Sequence, residues 1–181
     1  MTRSQERKMD CTGVIQYPPV NESTFRNAMS KLVGSVHIVT STGLSGDVGM
    51  TATAVCPISL VPPTLLVCLN QRSRTHDVAI ASGVLSVNVL SDDQKILAEQ
   101  FGIVSGGDMS ARFASACWSR RSTGAPLLDN CAVALDCRVD SAHQVGTHSV
   151  LFCTVVDVTT YEKDGVLLYG ARRYARYGLT R

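Results

Sequence analysis

Residues 131–158 contain two long alternating runs separated by a turn that includes Gly146. In the first, Cys131, Val133, Leu135, Cys137 and Val139 share one face of an extended chain, and Asp136, Arg138 and Asp140 share the other. In the second, Val150, Phe152, Thr154, Val156 and Val158 share a face. Alternation with period two is the signature of a strand, so these runs read as adjacent long antiparallel strands, each with a buried side.

Shorter extended segments surround that pair. Val36 to Thr40 alternates, with Val36, Ile38 and Thr40 on one side and His37 and Val39 on the other. Thr42 to Asp47 reads as a turn, and Gly49 to Val55 as extended, with Pro57 and Pro62-Pro63 as punctuation. Thr64 to Leu69 is an apolar run of strand length, Val84 to Leu90 is β-branched and alternating, and Val166 to Tyr169 reads as a last short strand before an Arg172-Arg173-Tyr174 tail.

Three helices are predicted between them. Over 23–33, Phe25, Met29, Leu32 and Val33 lie on one helical face, with Gly34 as a stop. The second spans 74–82 and stops at Gly83; the third runs from Ser91 to about Phe101 with Ser91-Asp92-Asp93-Gln94 as a capping box. Residues 103–126 read as irregular, and residues 1–21 as a tail ahead of one domain over 22–181. The expected class is mainly β with short helices, an antiparallel barrel or sandwich.

Composition narrows the function classes. The chain has 181 residues, 17 Lys+Arg against 15 Asp+Glu, and only 18% charged residues. The near-neutral balance excludes a strong electrostatic case for nucleic acid. Low charge points to surface hidden in a homo-oligomer. Seven cysteines without a C-x-x-C pair read as free thiols, mostly buried, in a reducing cytoplasm, with Cys11 as the exposed one. No metal site is expected, since His143 and His148 have no metal-ligand spacing. The opening residues lack the apolar core of a signal peptide, so a cytoplasmic protein is expected. No G-x-G-x-x-G or G-x-x-x-x-G-K-[ST] motif marks a dinucleotide or P-loop site.

Three blocks can carry chemistry. Gly49-Met50-Thr51-Ala52-Thr53-Ala54-Val55-Cys56 alternates small and hydroxylated residues. It reads as a platform for a flat aromatic ligand, or as an ordinary strand. Cys68-Leu69-Asn70-Gln71-Arg72-Ser73-Arg74-Thr75 sits at a strand–helix junction. It reads as a phosphate cradle, or as a solvated loop with Ser73 or Thr75 as N-cap. Gly146-Thr147-His148 reads as an accessible hydrogen-bonding histidine, or as a surface turn.

Together these blocks resemble the short-chain flavin reductases, the reductase components of two-component flavin monooxygenases. The likeness is carried by Phe25-Arg26-Asn27-Ala28-Met29, Thr51 to Cys56, Pro62 to Asn70, Val87-Asn88-Val89-Leu90, Arg112-Phe113, Cys117-Trp118, Gly146 to Val150 and Tyr169 to Tyr174. Within that family the chain looks most like the reductase of 4-hydroxyphenylacetate 3-monooxygenase. The resemblance implies a split-barrel flavin-binding fold, a Greek-key barrel that dimerises. It implies FMN or FAD as cofactor, NADH or NADPH as hydride donor, and a flavin-dependent oxygenase receiving reduced flavin. It places the flavin ring along Thr51, Ala52, Thr53 and Ala54, and its phosphate near Asn70, Ser73 and Thr75. Cys68, Phe101, Gly146 and Tyr174 are implied as further cofactor contacts. His148 is implied on the nicotinamide side, in a segment where the family has Gly-Asp-His and this chain has Thr147 in the middle. A non-catalytic flavin carrier or sensor on the same fold is the alternative reading; a cofactor-free oligomerisation barrel is a third.

Overall fold

The structure, a computed structural model, describes residues 8–9, 15–103 and 107–178; Cys11 lies outside them. In chain order the first elements are β1 (Lys8–Met9), β2 (Ile15–Gln16), α1 (Glu22–Met29), β3 (Gly34–Ser35), β4 (His37–Gly43), β5 (Gly46–Ala52), β6 (Val55–Leu60) and β7 (Pro63–Asn70). Then come α2 (Arg74–Ser82), β8 (Val84–Val89), α3 (Lys95–Phe101), α4 (Met109–Ala114), β9 (Trp118–Arg120) and β10 (Pro126–Leu128). The chain closes with β11 (Val133–Val145), β12 (His148–Thr160), β13 (Gly165–Gly170) and β14 (Arg173–Gly178).

The two alternating runs are β11 and β12, paired antiparallel from Val133 opposite Thr160 to Val145 opposite His148. They lie inside a seven-stranded sheet of order β5-β4-β8-β11-β12-β7-β6, and a three-stranded sheet runs β14-β13-β3. The non-sequential order and all-antiparallel pairing are those of the mainly-β split barrel expected. Three backbone bonds join the sheets: Val36 N–H to Leu167 C=O at 2.9 Å, and Leu90 N–H to Val36 C=O and Leu167 N–H to Leu90 C=O at 3.0 Å each.

Two apolar cores flank the large sheet. Ile38 packs into a cluster with Val36, Leu90, Phe101 and Leu167, while its neighbour Val39 packs into another with Val67, Leu69, Leu85 and Leu151. Both faces of β4 are therefore covered, and residues 36–41 are all buried despite their alternation.

On the long hairpin, the buried side of β12 is Ser149, Leu151 and Cys153, while Val156 and Val158 are exposed. Residues 150–153 are apolar on both faces, so the alternation alone cannot choose a side. Pairing with β7, which sets Leu151 opposite Val67, makes the choice. On β11 the register shifts between Asp136 and Cys137, so the burial switches face along the strand. The cysteines divide likewise: Cys131, Cys137 and Cys153 are buried and free, Cys68 is intermediate, but Cys56 and Cys117 are exposed.

Several boundaries differ from expectation. Helix α1 ends at Met29, because two i→i−3 bonds, Lys31 N–H to Ala28 C=O and Leu32 N–H to Met29 C=O, turn the chain toward β3. The apolar residues of this segment find no cover: Phe25 on the helix, and Leu32 and Val33 after it, are more than half exposed. Pro57 does not end a strand, since β6 is a sheet edge and bulges there. Ser91 and Gln94 do meet, Gln94 Oε1 accepting from Ser91 N–H at 3.0 Å, but they close a turn and α3 starts only at Lys95. The stretch called irregular contains α4, β9 and β10, which pack aromatic and apolar side chains on the core. The Arg172-Arg173-Tyr174 segment is no tail: Ala171 and Arg172 turn with positive φ into β14. In the N-terminal stretch, β1 pairs with β2. Helix α2 matches its predicted span, with Ser73 as N-cap and Gly83 left-handed at φ 71°.

His37, on β4, is 7% exposed, and its Nδ1–H donates to the Ala52 carbonyl at 3.3 Å. Burial holds its pKa below the ordinary value of 6.5, and the Ala52 carbonyl opposes that only in part. A lowered histidine pKa means the unfolded chain takes the proton first, so stability is present above pH 6.5 and is lost as pH falls through it. Urea midpoints measured across that range should fall more steeply for the native chain than for His37→Gln, which keeps a donor but does not titrate. Parallel slopes would refute this assignment.

Candidate functional site

A cavity of about 230 Å³ opens where the two sheets meet. Val36, Thr51, Ala52, Thr53, Gly102, Tyr169 and Tyr174 line it. Val36 stands at the join. Thr51 and Ala52 come from the end of β5, Gly102 caps α3, and the two tyrosines face each other across the β13–β14 hairpin, ring centroids 5.1 Å apart. Thr51 is anchored, its hydroxyl donating to the Ala98 carbonyl at 2.7 Å. Thr53 lies in the gap between β5 and β6 and is exposed. Burial raises the Tyr174 pKa, with smaller contributions from Glu99 and Tyr169, so its phenol stays protonated. Lys95 Nζ sits 5.9 Å from the Tyr174 ring centroid. All seven lining residues are uncharged.

One backbone bond carries this strand to the second block: Cys68 N–H donates to Ala54 C=O at 2.9 Å. Two residues further along β7, Asn70 pairs with His148. Gln71 spans the same join, its N–H donating to Thr147 C=O at 3.1 Å and its side-chain amide to His148 C=O at 2.9 Å. The Thr147 hydroxyl lies 2.9 Å from His148 Nδ1. Gly146 turns this hairpin at φ 56°. Asn70 Oδ1 accepts from Arg72 N–H, shaping the loop into α2. Ser73 Oγ caps His76 N–H at 3.1 Å, and helix geometry leaves the Arg74 and Thr75 N–H groups without intrahelical acceptors.

The predicted site residues thus fall in two linked groups. Thr51, Ala52, Thr53 and Tyr174 share the cavity. Ala54 connects it to Cys68, Asn70, Ser73, Gly146 and His148. Two residues stand elsewhere. Phe101 is 1% exposed, its ring packed edge-on against Phe113 and tilted on Trp118, behind the wall rather than in it. Thr75 is 2% exposed, so its side chain faces inward. Val36, Gly102 and Tyr169 are lining residues not singled out as contacts. Gly102 read only as a helix stop, and nothing in sequence separation brings positions 36, 102 and 169 together. Among the described residues no three of His, Cys, Asp or Glu gather as a metal-holding group.

The chain belongs to the flavin reductase like domain family, which matches residues 29–178. Among curated proteins it is 44% identical over 156 residues to the FMN reductase (NADH) RutF of Stutzerimonas stutzeri, covering 86% of this chain and 88% of that one. It is 44% identical over 150 residues to RutF of Agrobacterium fabrum, covering 83% and 85%. Among solved structures, the NADH:FAD oxidoreductase SgcE6 of Streptomyces globisporus C-1027, in complex with NAD and FAD fragments, superposes with TM-score 0.79 at 25% identity, covering 88% of this chain and 94% of that one. The flavin reductase PheA2 superposes with TM-score 0.77 at 26% identity, covering 88% and 99%. The family expected from the sequence is therefore the right one. The expected branch is not where the stronger similarity falls, since the RutF proteins are much nearer in sequence than PheA2.

The two cavity threonines should behave differently. Thr51→Val removes the bond to Ala98 and should lower unfolding free energy by about 0.5–1.5 kcal/mol. Thr53→Val, at an exposed position whose carbonyl rather than its hydroxyl makes the bond to Val55 N–H, should leave stability within about 0.5 kcal/mol. Urea denaturation of both variants checks this.

Proposed function

We propose that the chain is an NADH-dependent FMN reductase that supplies reduced flavin to an oxygenase component. The observation that carries it is the cavity at the sheet join. Its uncharged, partly aromatic wall and the hydroxyl and backbone edge of Thr51–Ala54 fit a flat heteroaromatic ring. FMN and NADH are favoured over FAD and NADPH because the RutF relatives are FMN reductases (NADH), whereas the FAD-linked relative is more distant.

Flavin bound there would supply the redox chemistry, accepting a hydride from the nicotinamide at its N5. The chain's part is binding and orientation. Thr53 and the Ala52–Ala54 backbone face the polar edge of the ring. Tyr174 offers a protonated phenol, and the Tyr169–Tyr174 pair keeps water from one side. Ser73 Oγ–H and the Arg74 N–H group at the start of α2 would hold the phosphate, helped by the positive end of that helix. With Thr147 donating to Nδ1, His148 keeps its proton on Nε2 and presents it outward, as a donor for the nicotinamide carboxamide. Thr147 thus contacts the ring from the position where the family has aspartate.

A homodimer is part of the same reading. Its support is the exposed apolar side chains on and just after α1 (Phe25 and Met29, then Leu32 and Val33) and the low charged fraction of 18%. The pool of free thiols suits a cytoplasmic location. Among the described residues no helix is long and apolar enough to cross a membrane. A flavin carrier without turnover would leave His148 idle.

NADH oxidation by the purified protein, with FMN and FAD in parallel, tests the activity; no turnover with either flavin would overturn it. Ser73→Asp tests the phosphate site, because aspartate keeps the helix cap while repelling phosphate. FMN affinity should drop by more than about tenfold while riboflavin affinity holds within about twofold. His148→Ala should leave flavin binding intact and raise KM for NADH, or slow flavin reduction in stopped flow, by about tenfold, equivalent to about 1.4 kcal/mol.

A further inference from the structure

We infer that His76 is a positioning residue, and that the chain Asp77–His76–Ser149 clamps the phosphate-binding start of α2 to the strand that carries His148. The inference rests on the reading of those two segments given above. His76 Nε2 lies 3.0 Å from Ser149 Oγ, and His76 Nδ1 lies 3.0 Å from Asp77 Oδ1. The carboxylate can only accept, so Nδ1 carries a proton, and in the neutral ring Nε2 is left to accept from the Ser149 hydroxyl.

The three groups have the order of a hydrolytic triad, but the geometry denies that role. Ser149 is 2% exposed, between His148 and Val150 in a strand that pairs with β7, so no acyl group can reach its oxygen. The hydroxyl points into the protein and serves as an anchor. Its partner is also well placed for that task. The His76 side chain is 13% exposed, and the residue's own N–H is the one capped by Ser73. His76 thus touches the cap of α2 with its backbone and the root of the His148 hairpin with its ring.

The clamp complements Gln71. Gln71 ties the loop before α2 to the carbonyls of Thr147 and His148, whereas His76 ties the helix itself to the next residue, Ser149. Without the ring-to-serine bond, the loop stays attached but the helix N-terminus is free to tilt. The donors at the phosphate end and the donor on His148 then lose their fixed separation. A hinge of this kind would disturb the phosphate contact and the nicotinamide contact together, and leave the cavity that takes the ring unchanged.

Amide replacements separate the two ring nitrogens. Glutamine places its amide where Nε2 lies and can still reach Ser149, whereas asparagine reaches only as far as Nδ1. The measurements are dissociation constants for FMN and riboflavin by flavin fluorescence quenching, and KM and kcat for NADH, on native protein, H76N, H76Q and S149A. H76N and S149A should each reduce the preference for FMN over riboflavin by about threefold to tenfold. They should raise KM for NADH with kcat at saturation largely kept. The H76N/S149A double variant should be no worse than either single one, and H76Q should restore most of the preference.

A merely structural role would lower the unfolding midpoint without moving the FMN-to-riboflavin ratio, and that outcome overturns the clamp. So does H76Q behaving like H76N, or additive losses in the double variant. S149A removes a single oxygen, so it remains informative if a histidine variant folds poorly. Failure of the underlying reading looks different: the native protein itself would show no preference for FMN over riboflavin.

Discussion

The join between the two sheets is the constraint on which the site depends. Val36, Leu90 and Leu167 close a ring of backbone bonds, and all three side chains are buried in one core cluster. Each strand contributes a donor and an acceptor to a place without water, where an unmade bond costs far more than a made one returns. The sheets therefore meet in one fixed relation. The cavity is the space just outside that contact, with Thr51, Ala52 and Thr53 from one sheet and Tyr169 and Tyr174 from the other. Neither sheet alone supplies all of its walls.

From that corner, rigidity runs outward along β7. The bond between Cys68 and Ala54 fixes the ring platform to the strand whose end opens into α2. The pairing of Asn70 with His148 then fixes the β11–β12 hairpin, proposed above for the nicotinamide, to the same strand end. The proposed ring, phosphate and nicotinamide positions would thus be set by the last residues of one strand and by the bonds they make. Sites built on strand ends hold their geometry better than sites on free loops, which suits chemistry that depends on close stacking rather than on an acid or base.

How much of this was legible in the sequence depended on whether the information was local. Helix α2 could be bounded at both ends, because Ser73 and Gly83 encode its start and stop within the segment itself. The β11–β12 hairpin could be found from alternation, but its buried face could not, since Val150, Leu151, Phe152 and Cys153 are apolar in both directions and β7 decides between them. The Arg172-Arg173-Tyr174 segment hid a hairpin, because its turn uses Ala171 and Arg172 at positive φ where glycine or asparagine would have signalled it. Phe101 was placed in the site by likeness alone and Thr75 by the strand–helix junction as well, and packing turns both side chains inward. The cavity's other walls, Val36, Gly102 and Tyr169, come from distant segments that only the tertiary fold brings together.

The thiols complete the picture of a site meant to stay chemically quiet. Burial raises the pKa of Cys131 and Cys153 to about 12, and raises that of Cys137 as well. A thiol is a nucleophile and a reductant chiefly as thiolate, so these three are small apolar fillers of the core at any physiological pH. The cavity wall is equally inert, with hydroxyls, backbone and a phenol whose pKa is raised rather than lowered. The seven lining residues carry no charge, and the cation recorded beside them is Lys95, whose Nζ lies 5.9 Å from the Tyr174 ring centroid. A reductase whose product must leave in reduced form gains from an uncharged wall, since a fixed positive charge in contact with the ring would hold the reduced, more negative flavin more tightly than the oxidised one.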